Sequence, residues 1–201
     1  VKLASAIDSV SYGIGVSIGQ NLGRDGLETV NLDLMMKAMR AAMNKDSLVM
    51  DMQQSQMAIQ QYITGVKKKK GEEALAKEKA FLDENAKKPG VKTLPSGLQY
   101  IVMKEGTGLK PTAADTIICH YHGTLLDGKV FDSSVDKGQP ITHPVSQFIP
   151  GWTEALQLMP VGSKWKLFVP SNLGYGERGN GMIEPNSTLI FELELLGIKG
   201  K

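Results

Sequence analysis

A chain of 201 residues, 41% hydrophobic and 22% charged, has an ordinary globular composition with room for one large or two small domains. Its 23 basic and 21 acidic residues leave a net charge of +2, which argues against nucleic acid as the main partner. Cys119 is the only cysteine, which excludes an internal disulfide, and no apolar run approaches the ~20 residues that cross a bilayer.

Composition changes near Lys92. Residues 1–90 hold most of the methionines and a single proline, Pro89; residues 91–201 hold most of the aromatic residues and the other prolines. The first half reads as helical. In "SYGIGVSIGQ" (11–20) the glycines imitate a phosphate-binding loop, but Ile18 stands where the third glycine belongs and no strand precedes them. A helix from about Ile7 to Leu22 fits better. Gly15 and Gly19 then share a face with room for a close helix contact, within the chain or between two chains. Met35, Met36, Met39 and Met43 follow helical spacing, with Asn31 or Asp33 as the cap. A third helical pattern runs from Asp51 to Pro89-Gly90. As one helix it would be about 57 Å long, with Gly65 and Gly71 as weak points. The run Lys67–Lys70, followed by Glu72, Glu73 and Glu78, reads as a solvated helix face rather than a nucleic-acid patch. The methionines suit an adaptable apolar interface, and the half is short for a core of its own, so a dimer is expected.

The second half reads as strands and turns. "DTIICHYHGTLLDGKVF" (115–131) is a pair of strands around Asp127-Gly128, "GWTEALQLM" (151–159) a short helix, and "GSKWKLFVP" and "STLIFELELLGI" alternating strands with one buried face each. The expected fold is α+β, an antiparallel sheet wrapped on one short helix.

Several chemistries are weighed and set aside. His120 and His122 share a strand face, but Cys119 points the other way and no carboxylate completes a metal site. Ser133 and Ser134 lack a credible His and Asp arrangement, and no G-x-S-x-G elbow exists. Asn186-Ser187-Thr188 matches a glycosylation acceptor, a common triplet. What remains is aromatic residues beside turns: Tyr121, Phe131 next to Asp132, Phe148 and Trp152 around Pro150-Gly151, Tyr175 and Phe191. Together they suit the lining of an apolar pocket.

"VFDSSVDKGQPI", "VSQFIPGWTEALQLMPVGSKWKLFVP", "LGYGERGNG" and "IEPNSTLIFELELL" resemble, in order, the macrolide-binding FKBP-type peptidyl-prolyl isomerases over residues 92–198. "SYGIGVSIGQNL" and "LPSGLQY" resemble the macrophage infectivity potentiator-like bacterial members. The resemblance implies a helical dimerisation domain over 1–50, a long connecting stalk helix over 51–90 and a half-barrel isomerase domain over 91–201. It also implies a V-shaped homodimer formed through residues 1–50. Carried over, the catalytic residues are Tyr121, Phe131, Asp132, Tyr175 and Phe191, and the substrate-binding residues are Phe148, Ile149, Trp152 and Ile183. Trp152 would form the floor, and the Ile149 N–H and Tyr175 hydroxyl would meet substrate carbonyls. Ile141 and His143 stand where many members carry aromatic residues, and Lys137 where an arginine often pairs with the pocket aspartate. The loop around Arg178 and Asn180 is about one residue short.

The implied substrates are proline-containing polypeptides, with no cofactor and no metal, and rapamycin-type macrolides as inhibitors. A clamp-like chaperone with incidental isomerase activity is the alternative. Such relatives are exported to the periplasm or outer membrane, others are cytoplasmic. The start at Val1 rather than Met tilts the expectation towards export, though no signal peptide is visible.

Overall fold

A computed structural model describes residues 1–24, 27 and 29–201. The chain divides into two compact units, Val1–Lys70 and Gly71–Lys201.

The first unit is helical: α1 (Ala6–Arg24), α2 (Leu32–Asn44) and the start of α3 (Met52–Asn85). Each helix begins where a side chain supplies the first acceptor that an unpaired helical N–H requires. Ser5 Oγ accepts from the Asp8 N–H, and Asp8 Oδ2 accepts from the Ser5 N–H, a reciprocal capping box. Asn31 Oδ1 accepts from the Leu34 N–H at 2.9 Å, which selects Asn31 over Asp33 as the cap. Asp51 and Gln54 form a second box at the head of α3. α3 continues unbroken through Gly65 and Gly71 and ends at Asn85, ahead of Pro89-Gly90. No described residue before Asn85 is buried; Ile7, Tyr12, Leu34 and Met57 are all more than half exposed. A methyl group added at Gly15 or Gly19 would meet nothing within 4 Å. The close helix contact expected there is therefore not made among the described residues of the single chain.

The second unit contains the sheet: β1 (Lys92–Thr93), β2 (Gln99–Lys104), β3 (Thr116–Thr124), β4 (Val130–Ser133), β5 (Ile141–Pro144), β6 (Lys164–Val169) and β7 (Leu189–Ile198). All pairings are antiparallel, in the order β1-β2-β6-β7-β3-β4, with β5 continuing along the same edge of β3. The sheet remains open, because β1 and β4 do not pair. The α+β class and the sheet wrapped on a short helix agree with the sequence reading. The short helix, α4 (Pro150–Leu156), lies in the concavity, where Trp152, Ala155 and Leu156 are buried against Leu167, Val169, Leu193 and Leu195. Alternation sets this geometry: Trp165, Leu167 and Val169 face inward, while Lys164 and Lys166 reach Glu192 across the outer face.

The outer face is not polar throughout. Phe168 is buried and packs on Phe81 of α3 with ring centroids 5.9 Å apart. Beside it, Asn85 donates to Gln99 Oε1, and Gln99 Nε2 donates to the Leu82 carbonyl. The C-terminal turns of α3 therefore belong to the core of the second unit. The sequence reading, which assigned them only to a connector, did not anticipate this packing.

Candidate active site

Nine residues from five separate places on the chain meet in one cavity of about 660 Å³ in the second unit. β3 brings Tyr121 and β4 brings Phe131 and Asp132. The turn into α4 brings Phe148, Ile149 and Trp152. Tyr175 and Ile183 come from the loop between β6 and β7, and Phe191 from β7. These are the nine candidates named from sequence. The cavity also takes in Ile141 and His143, and three residues the sequence reading did not single out: Gln147, Gly181 and Met182. Asn180 lines it as well, whereas Arg178 does not.

Trp152 is the floor, 3% exposed. Tyr121 and Phe191 meet it edge-on at 5.2 and 5.0 Å, and Phe148 leans on it at 4.8 Å. Phe131 stands edge-on to Phe191 at 5.5 Å, and His143 edge-on to Phe148 at 4.9 Å. Edge-to-face contacts place the positive rim of one ring against the negative face of the next, so the cluster holds its shape without polar atoms. Two glycines make this possible. A methyl at Gly123 would stand 2.7 Å from the Phe131 ring and 3.0 Å from Phe191, so a side chain there would push the Phe131 ring out of its place. A methyl at Gly151 would stand 2.7 Å from Val169, so a side chain there would push α4 and β6 apart beside Trp152. A glycine inside a strand pattern is itself a sign of close approach, and Gly123 was findable on that ground.

The polar groups are few. Tyr121 donates its hydroxyl to Asp132 Oδ2 at 2.5 Å, and Lys137 Nζ donates to Asp132 Oδ1 at 2.5 Å. Lys137 thus makes the ion pair with the cavity aspartate. Burial pushes the Asp132 carboxyl up, but the bonds from Lys137 and Tyr121 outweigh it and leave the group below its ordinary value. Burial, then the bond to the Asp132 carboxylate, pushes the Tyr121 phenol well above its ordinary value. The pair therefore stands as carboxylate and phenol across the neutral range. Both carboxylate oxygens are occupied, which suits Asp132 to holding Tyr121 rather than to taking a proton. The Tyr175 side chain, 36% exposed, forms part of the mouth. Ile149 caps α4, its carbonyl accepting from Trp152 and Thr153; no acceptor among the described residues takes its own N–H.

Other candidates fall outside this cavity. Cys119 is fully buried in the core, and burial raises its thiol to about 12. His120 and His122 lie on the outer face, where Nδ1 of each meets a serine hydroxyl, Ser134 and Ser133, at 3.0 Å. Strand pairing thus brings together serines and histidines that looked unrelated in sequence. Ser133 and Asp136 both approach the same nitrogen of His122, however, so no relay runs through the ring.

Residues 108–196 match the model of the FKBP-type peptidyl-prolyl cis-trans isomerase, and residues 7–102 the domain amino terminal to it. The chain is 45% identical over 206 residues to the outer membrane protein MIP of Legionella longbeachae, covering 98% of this chain and 88% of that protein. It is 43% identical over 192 residues to the FKBP-type 22 kDa peptidyl-prolyl cis-trans isomerase of Escherichia coli, covering 94% and 93%. The crystal structure of FkpA from Escherichia coli matches with a TM-score of 0.77 at 33% identity, over 98% of this chain and 99% of that one. With both halves of the chain matched and the aromatic cavity in place, the protein belongs to the FKBP-type peptidyl-prolyl cis-trans isomerase family.

Proposed function

We propose that this protein accelerates cis–trans rotation about X-Pro bonds in polypeptides, assisting their folding. The observation that carries the reading is the cavity itself: an aromatic box with one buried tryptophan as floor and a single anchored carboxylate at its wall.

The barrier of ~18–20 kcal/mol arises because rotation breaks amide resonance. No covalent bond forms or breaks, so the reaction requires neither nucleophile nor metal. The twisted amide has less charge separation between carbonyl and nitrogen than the planar one, and an apolar wall solvates it better than water does. Binding the twisted form more tightly than either planar form is the catalysis. In this reading the proline ring rests on Trp152, between Tyr121, Phe131, Phe148 and Phe191, with Ile183 closing the side. The Ile149 N–H and the Tyr175 hydroxyl meet substrate carbonyls and fix the peptide on either side of the rotating bond. Asp132, held by Lys137, orients Tyr121 and polarises that wall.

The helical unit supports a second activity. Apolar side chains exposed all along residues 1–50, with no buried residue among those described, suit a homodimer formed through that segment. A dimer would present two cavities to one unfolded chain and act as a clamp-like chaperone, with the tether raising effective substrate concentration. The boundaries 1–50, 51–90 and 91–201 remain the proposed division into dimerisation, connecting and isomerase parts. Similarity to a Legionella protein named for the outer membrane supports a periplasmic or outer-membrane-associated location over a cytoplasmic one. No described helix is long and apolar enough to cross a membrane.

Exchange spectroscopy on a Phe-Pro peptide, with and without rapamycin, tests the reading. Acceleration abolished by the macrolide is expected, with Ile141 and His143 at the rim lowering its affinity rather than preventing entry. Absence of acceleration would transfer the function to the clamp.

A further inference from the structure

The loop between β6 and β7 carries Tyr175, Asn180, Gly181, Met182 and Ile183 into the cavity, and it is short of regular structure. Its two ends are held by one side chain from a distant part of the chain. Glu78, on α3, accepts from the Ser171 N–H at 2.6 Å and from Thr188 Oγ1 at 2.9 Å through Oε2, and from Ser171 Oγ at 2.9 Å through Oε1. Ser171 and Thr188 are each only 2% exposed. One helical stretch further up, the Gly71 carbonyl accepts from Asn186 Nδ2, and the Asn186 N–H donates to the Gly176 carbonyl. Asn186 adopts a left-handed conformation (φ 57°) to do so. The loop is thus pinned at its base by a carboxylate and, close by, through Asn186, which is held by α3 and in turn holds the Gly176 carbonyl.

We infer that Glu78 is a positioning residue for the cavity: β6 and β7 pair as far as Val169 and Leu189, and by tying Ser171 to Thr188 just beyond that pair Glu78 fixes how the loop leaves the two strands, and so the placement of Tyr175 and Ile183 over Trp152. The inference deepens the isomerase reading and rests on it for its effect on rate. Hydrogen bonds to a carboxylate are stronger than those between neutral groups, and hydroxyl and amide donors converging on one side chain fix both ends in one geometry. α3 is then a structural part of the catalytic unit in addition to any part it plays in linking.

Two readouts on the full chain test this. Glu78→Ala is expected to lower kcat/KM on a Phe-Pro peptide about tenfold, as a misplaced binding group does. Exchange of the loop amides of Gly174, Asn180, Ile183 and Asn186 should quicken about tenfold as local opening becomes easier, with the amides of β3 and β7 unchanged. Glu78→Gln keeps one acceptor oxygen for the Ser171 N–H and an amide that can donate to the hydroxyls, and should retain activity to within about threefold. Phe81→Leu, which weakens the same helix without touching the loop, should lower thermal stability and leave the activity of the folded protein alone. Should Glu78→Ala not fold, Thr188→Val removes one bond at nearly constant shape and should quicken exchange at Ile183 and Asn186. Folded Glu78→Ala with activity and loop exchange both within about twofold of wild type would overturn the inference, as would unchanged loop exchange in Thr188→Val. A wild-type chain without isomerase activity would overturn the isomerase reading alone, because the loop exchange still decides the role of Glu78.

Discussion

Asp132 shows how one residue is assigned by its surroundings. A lone carboxylate in an aromatic cavity looks like an acid or a base, but here Tyr121 and Lys137 each occupy one oxygen. Asp132→Asn should reduce kcat/KM roughly tenfold, the scale of a hydrogen bond to a charged group, without changing the shape of the pH–rate profile between about 5 and 9. A wild-type inflection in that range that disappears in Asp132→Asn would assign the group a proton-transfer role. The same bonds link the residue to stability. Because its carboxyl titrates lower in the folded chain than in the unfolded one, its contribution is full above the unfolded value of about 3.9 and is lost as pH falls through the folded value. Denaturation midpoints of wild type and Asp132→Asn should therefore converge as pH is lowered from about 5 into that window. Gly123 makes the opposite case, a residue whose value is the side chain it lacks. Gly123→Ala drives a methyl into the Phe131 ring and should cost about 1–3 kcal/mol of stability together with activity on a short peptide, measured by urea titration and peptide exchange.

Among the elements, the strands were legible because period-two alternation reports burial directly. Leu189, Phe191, Leu193 and Leu195 were read as one face and are one face. Leu193→Ala, at the centre of β7 and fully buried, should lower stability by about 2–5 kcal/mol in the same titration. Helix starts were legible too, since a cap is a local pairing: Asn31 with Leu34, Asp51 with Gln54. Long-range side-chain pairings were not. Phe81 on Phe168, Asn85 on Gln99, and Glu78 on Ser171 and Thr188 join residues far apart in sequence, and nothing in either local pattern names the other partner. The nine cavity residues were legible for another reason, the motifs "VFDSSVDKGQPI" and "LGYGERGNG" that carry the family resemblance; alternation or spacing alone would have left each as a core candidate. Met182 and Gln147 carried no such mark. An exposed methionine in a glycine-rich loop and a glutamine in a short turn join the cavity only once the loop and α4 are folded against the sheet.

At the scale of the whole molecule, the two units differ in how they are stabilised. The second has a contiguous core beneath its sheet, while the first exposes apolar side chains along every helix. Exposed patches of that kind mark an association surface. The full chain should therefore sediment as a dimer at micromolar concentration, and Ile14→Asp, on the exposed face of α1, should shift it towards monomer. Activity on a short peptide should survive the change, because the cavity lies wholly in the second unit, whereas suppression of aggregation of an unfolded protein should fall. A monomeric wild type would contradict the proposed assembly and leave the isomerase reading standing.

In the proposed reaction this cavity lowers the rotational barrier of an X-Pro amide by binding its twisted form, with no proton transferred. Exchange rates of a Phe-Pro peptide with the full chain, measured in H2O and in D2O, test it in one experiment. Acceleration over the uncatalysed rate, nearly the same in both solvents, is expected. No acceleration in either, or a rate reduced about twofold or more in D2O as proton transfer in the transition state would produce, would contradict it.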